Sequence, residues 1–347
     1  MKHTLSFLVS IAMLCLVSIC STSCNNNGTS NKTASTDTLA KPKWVDPQKG
    51  KYWSKVNYVQ IPLTAIENHI LGPVKSVRYK DYKISEKDGS KVLDDSGYNV
   101  YDKFGHLVDQ NEYNADGKPR WKCVYNYDDK NKATEWDLKI SYYGNYTSKV
   151  TFKYDDRGHK IEENCVSSND TFSSREVYKY DDKGNETEEA RFDAHNKPGW
   201  VTSYKYDNRG FQVEMTMRNG DGKLMRRATQ EYDNNGDKIS GVDYRSDTAI
   251  AGKWKATIDN KGRTTERADF DKTGALHSTT KMKYDDWDNL IEYITYKPDN
   301  SIDTGWWNSY TQYEYDSKGN AVKETGYKIK DSKKTATDFR ETEYVYY

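Results

Sequence analysis

The chain repeats itself about every 26 residues. Tyr-Asp pairs begin at Tyr101, Tyr127, Tyr154, Tyr180, Tyr206 and Tyr232, continue through Ile258-Asp259 and Tyr284-Asp285, and reach Tyr315-Asp316 after one longer step of 31 residues. A fixed period sets the architecture before local propensity is consulted, because each unit buries its apolar face against its neighbours. It fixes a build and names no reaction.

Within a unit the chemistry is that of hairpins. Three residues after each Asp stand Gly105, Asn131, Gly158, Gly184, Gly210, Gly236, Gly262, Asp288 and Gly319. All are types that tolerate positive φ. The spacing predicts a type I turn closed by a left-handed residue, the three-residue hairpin loop with a G1 bulge. The Asp carboxylate is placed to accept the N–H two residues on. Then come Val108, Thr134, Ile161, Thr187, Val213, Ile239, Thr265, Ile291 and Val322, all β-branched, which is a strand signature. A second turn is expected at Gly117, Asp170, Asn196, Gly222, Gly274, Asn300 and Asp331.

Alternate strand residues share a face. Tyr125 and Tyr127, Tyr178 and Tyr180, Tyr204 and Tyr206, and Tyr313 and Tyr315 therefore line one side of the sheet, with Phe152 and Tyr154 equivalent to them. The loop length puts the first Tyr of each pair opposite Glu135, Glu162, Glu188 or Glu214, and leaves Lys153, Lys179, Lys205 and Lys283 on the other face. Nine units make about eighteen strands, roughly 85 Å of flat sheet at ~4.8 Å each. Twist and repeated bulges curl so wide a sheet. The expectation is an all-β fold: tandem β-hairpin repeats forming one long antiparallel meander, curled or spiral, with the Tyr face inward and a short N-terminal cap.

The pattern Tyr-x-Tyr-Asp-x-x-Gly with a later aromatic, as in Tyr178 to Phe192, resembles the YD repeats of the Rhs and teneurin families over residues 99–347. The resemblance implies a long antiparallel sheet that spirals into a shell. The chain ends on a repeat strand, Tyr344 to Tyr347, and the family's core motif after the repeats is missing, so toxin enclosure is not carried over.

Charges balance at 53 basic and 53 acidic residues, which leaves no basic field for nucleic acid. Mean hydropathy is −1.05, yet 29 Tyr and nine Trp are foreign to a disordered chain. Aromatic rings must supply the burial. Residues 1–23 read as a lipoprotein signal peptide: Lys2, then an apolar run from Leu5 to Ile19, then small residues before Cys24. The run is short for a membrane span. Cys24 stands where a lipobox cysteine is acylated. Residues 24–43 read as a flexible tether, 44–98 as an N-terminal cap with the first strands, and 99–347 as the repeat domain. The expected address is the cell envelope, as an outer-membrane lipoprotein facing the periplasm, with surface display as the alternative.

Candidate ligand-binding residues are Trp121, Trp200, Trp306 and Trp307, because indole rings stack on sugar faces. Trp306-Trp307 lies in the one long unit. The Asp ladder is turn chemistry, and lysines or arginines inside the loops oppose a calcium array. The Glu row is too periodic for a catalytic pair. Scattered histidines carry no zinc spacing. No metal or other cofactor is implied. Cys123 and Cys165, three strands apart in the inferred order, are expected as free, part-buried thiols. The primary reading is a lipid-anchored, non-catalytic scaffold or binding protein whose partners are the membrane and a glycan or envelope protein. The alternative is a carbohydrate-binding module. A glycan hydrolase would need a non-repeating polar cluster.

Overall fold

The computed structural model describes residues 70–141, 145–169, 172–304, 308–330 and 333–347. Cys24, Trp306, Trp307, Asp170 and Asp331 lie outside them. Twenty strands follow one another: β1 Val74–Ile84, β2 Lys91–Tyr101, β3 Leu107–Asn114, β4 Pro119–Tyr127, β5 Ala133–Ile140, β6 Tyr146–Tyr154, β7 Lys160–Ser167, β8 Ser174–Tyr180, β9 Glu186–Asp193 and β10 Pro198–Tyr206. The second half continues with β11 Gln212–Asn219, β12 Leu224–Tyr232, β13 Lys238–Tyr244, β14 Ile250–Ile258, β15 Thr264–Asp271, β16 Leu276–Tyr284, β17 Leu290–Tyr296, β18 Ser309–Tyr315, β19 Ala321–Lys330 and β20 Lys333–Tyr346.

The Tyr-Asp turns form as their spacing dictates. Gly105 has φ +87° and Asn131 φ +63°, and the seven equivalent residues are also left-handed. In the first turn Gly105 N–H donates to the Asp102 carbonyl and Asp102 N–H to that of His106. The Asp carboxylate does more than anticipated: Asp181 Oδ1 accepts from the N–H of both Lys183 (2.9 Å) and Asn185 (2.8 Å). Among the second turns, Gly117, Asn196, Gly222, Gly274 and Asn300 are left-handed.

Every strand pairs antiparallel with its chain neighbour, and β1 pairs β20 from Val74↔Tyr346 to Lys83↔Asp338. The sheet is therefore a closed twenty-stranded barrel. The expected open or spiral meander is wrong; only its all-β hairpin content stands. A curled ribbon left open would present two unpaired backbone edges, and twenty strands supply enough curvature for those edges to meet. The seam is stitched by side chains as well. Arg340 Nε and Nη2 donate to Asp81 at 2.6 and 2.7 Å, Tyr82 packs on Phe339, and the Tyr347 hydroxyl donates to the Tyr101 carbonyl at 2.6 Å.

A second correction concerns register. Lys179 pairs with Glu188 and Tyr178 with Glu189, and likewise Lys205 pairs with Glu214. The Glu row thus shares a face with the lysines rather than with the first Tyr. The bulge at Tyr180 sets the pairing one residue from the simple expectation, and a one-residue slip moves a side chain to the other face.

Side chains converge on the concave side of a barrel and diverge on the convex side. Rows that are almost wholly covered must therefore point inward. Trp121, Cys123 and Tyr125 are buried while Lys122 is exposed; Trp136, Leu138 and Ile140 are buried while Asp137 and Lys139 are exposed. The aromatic rows thus line the interior, and the lysine and glutamate rows face out.

Candidate functional site

The interior near the Tyr-Asp turns is built from the repeat itself. In six of the units the Tyr hydroxyl reaches back twenty or twenty-one residues to a main-chain carbonyl of the unit before, whereas the Tyr315 hydroxyl goes to the Asp285 carboxylate. Tyr127 donates to Leu107 (2.7 Å), Tyr154 to Ala133 (2.7 Å), Tyr180 to Lys160 (2.7 Å), Tyr206 to Glu186 (2.6 Å), Tyr232 to Gln212 (2.8 Å) and Tyr284 to Thr264 (2.8 Å). The ring covers the residue after the preceding glycine: His106 stacks on Tyr127, His159 on Tyr180 and Phe211 on Tyr232. His106 and His159, scattered in sequence, occupy one structural position. Each places Nδ1 3.0 Å from its turn Asp.

Two polar groupings interrupt the aromatic lining, and neither is periodic. On β7 to β10, Lys160 donates to Glu163 at 2.7 Å and lies over the Phe152 and Tyr178 rings. Arg191 donates to Glu176 at 2.8 Å, Tyr178 to the same carboxylate, and Tyr204 to Glu189. Burial, then Glu186 and Glu176, push the Glu189 carboxyl well above its ordinary range. Around the seam, Arg120 lies 2.7 Å from Glu112 and 3.4 Å from Asp95, and Trp121 Nε1 donates to Glu112 at 2.9 Å. Burial raises Glu112 and Glu324. Sequence reasoning missed both groupings, because units that look alike differ here at inward positions. The face of a residue depends on the bulge register. Among the described residues no three His, Cys, Asp or Glu side chains are arranged to hold a metal ion.

Glu163, Glu176 and Glu189 are each under a tenth exposed, and each is engaged by a cation or a tyrosine hydroxyl. A general acid must reach the substrate oxygen.

The outer surface is a girdle of ion pairs. Glu162 sits between Lys153 (2.6 Å) and Arg175 (3.4 Å), and Glu214 between Lys205 (2.7 Å) and Arg227 (2.8 Å). Lys179–Glu188 and Lys283–Glu292 repeat the motif at 2.7 and 2.6 Å. The bond from Lys153 holds the Glu162 pKa below the ordinary value. An outer furrow of about 540 Å³ crosses β4 to β7 beside Lys122, Lys139 and Lys149. Two of these lysines are held by Asp109 and Glu135.

Of the four candidate tryptophans, the two among the described residues, Trp121 and Trp200, stand on separate strands. Trp121 is buried on the inner face of β4, and Trp200 is half-buried on that of β10. Cys123 and Cys165 are buried thiols rather than a disulfide, and more deeply covered than expected. Covering is uneven around the barrel. The inner rows of β4 to β8 are largely buried, whereas those of β12, β14 and β15 are half-exposed. The interior is packed along one wall and open along the other.

No protein-family model matches the sequence, and no curated protein does. Among solved structures the chain is similar to a porin-like protein from Bacteroides uniformis, with TM-score 0.36, 12% identity, and coverage of 79% of this chain and 99% of that one. A porin-like protein from Bacteroides vulgatus gives TM-score 0.27, 11% identity and the same coverage. The Tc holotoxin pore of Photorhabdus luminescens gives TM-score 0.28 and 10% identity over 74% of this chain and 18% of that one. Overlaps this loose assign neither family nor function.

Proposed function

We propose that the chain is a non-catalytic, lipid-anchored protein of the cell envelope whose barrel stands clear of the bilayer and acts as a scaffold or binding body. The observation that carries this reading is the charged outer girdle. A barrel embedded in lipid needs an apolar outward band about 25 Å tall, and a cation at mid-depth costs about 2–4 kcal/mol. Here Lys149, Lys153, Lys179, Lys205, Lys253 and Lys283 are exposed and several are locked to outward glutamates. Attachment falls to the acyl chains expected on Cys24, and residues 25–43 supply reach. The aromatic interior and its open wall support a binding role, and the buried, engaged carboxyls support the absence of catalysis.

The test is flotation with vesicles. The lipidated chain is expected to rise with them. Cys24→Ser is expected to stay in the aqueous fraction as a folded, all-β monomer. A Cys24→Ser barrel that still floats after a high-salt wash overturns the reading in favour of insertion.

A further inference from the structure

The open wall holds Trp254, a tryptophan less covered than Trp121 and Trp136. Trp254 stands on the inner face of β14, directly opposite Gly241 of β13 and Asp269 of β15. A Cβ built on Gly241 would lie 2.6 Å from the indole Nε1 and 2.7 Å from the Thr229 carbonyl. The indole therefore lies across the glycine instead of standing off the sheet. Gly252 and Ala256 flank Trp254 on the same face of its strand, while Arg267 and Asp269 stand on the neighbouring strand of that face. The Arg267 guanidinium is 4.8 Å from the ring centre. It is fixed there by bonds from Nε (3.0 Å) and Nη2 (2.7 Å) to Asp269 Oδ1. Ser278 lies opposite Asp269 on β16. Trp254 is partly exposed, as is Trp200, whereas Trp121 and Trp136 are 7% and 4% exposed.

We infer that Trp254, Arg267 and Asp269 form a subsite for a neutral saccharide on the open inner wall. The inference rests on the binding role proposed above and names its ligand class. A pyranose presents a face of C–H groups that packs on an indole. Its hydroxyls both donate and accept, which matches a carboxylate acceptor beside a guanidinium donor. Because Arg267 and Asp269 neutralise each other, the pair selects hydroxyls rather than a net charge.

The experiment titrates the full chain with cellopentaose, xylopentaose, mannopentaose and chitopentaose, following tryptophan fluorescence and heat. At least one is expected to bind. Trp254→Ala is expected to weaken it at least tenfold, about 1.4 kcal/mol, with the melting temperature held. Trp254→Phe is expected to retain part of the affinity and Asp269→Asn to lose part. No binding by the wild type, or equal binding by Trp254→Ala, overturns the inference. Should Trp254→Ala fail to fold, unchanged affinity in both Trp254→Phe and Asp269→Asn overturns it. Binding that responds instead to Trp306→Ala and Trp307→Ala overturns this subsite and leaves the binding role standing. Vesicle flotation reads the anchoring proposal separately from any of these results.

Discussion

Asp95 and Asp81 face each other across β1 and β2. Asp95 is pushed up to about 7, first by burial and then by Asp81 and Glu112. An unfolded aspartate titrates near 3.8. Between those values the folded barrel holds a proton that the unfolded chain does not, so this group's contribution improves as pH falls through 7. Above 7 the folded state carries the full repulsion. Asp95→Asn keeps the shape and removes the charge. It is expected to raise the melting temperature at pH 8 and to leave it unchanged at pH 4; an equal effect at both values would show that the charge is irrelevant. The turn aspartates behave oppositely. Burial raises Asp181, but bonds from Asn185 and the Lys183 amide outweigh it and the pKa falls. Their stabilisation is therefore present above about 4 and lost in acid. The turn residues were legible in sequence, because Asp and a left-handed glycine three residues later interact only with each other. The Asp81–Asp95 pair was not, because it joins positions whose facing depends on a bulge.

At the scale of elements, the hairpin unit is cooperative across units. Six Tyr hydroxyls stitch one hairpin to the carbonyl of the previous one, and a net hydrogen bond of this kind contributes about 1 kcal/mol. The conspicuous exception in the ladder is the junction of β17 and β18, which pair only at Glu292↔Tyr310 and Tyr293↔Ser309. Asn308 spans the gap: its Oδ1 accepts from Thr295 N–H at 2.6 Å, and its carbonyl from Ile329 N–H at 3.1 Å. Local opening follows the number of bonds to be broken. Hydrogen exchange is expected to be faster for amides facing this junction than for those along the β1–β20 seam. Faster exchange at the seam would make closure the weak point instead. The 31-residue step announced an irregularity in the sequence. That it thins a strand junction became visible only with the pairing in place.

At the scale of the molecule, closure decides what the interior is. An open ribbon has a concave surface shared with solvent, whereas a closed one has a separate inside. Aromatic rows, buried ion pairs and the Trp254 platform lie on that inside, and the charged girdle lies outside. Ending the chain after Lys330 removes β20 and exposes the β1 and β19 edges. Such edges recruit strands from other molecules. The expected product is oligomeric or insoluble. A stable monomer, measured by sedimentation, would mean that the units suffice without the seam.

The sequence by itself determined the unit: its period, its two turns, the alternation of aromatic and charged rows, and the absence of helix from the described repeats. All of these are settled by contacts within some thirty residues. Only the tertiary structure decided that β1 meets β20, which face the glutamates take, and where unlike residues from separate units gather on the inner wall. Those outcomes depend on accumulated twist and on one-residue bulges, which a local pattern does not sum.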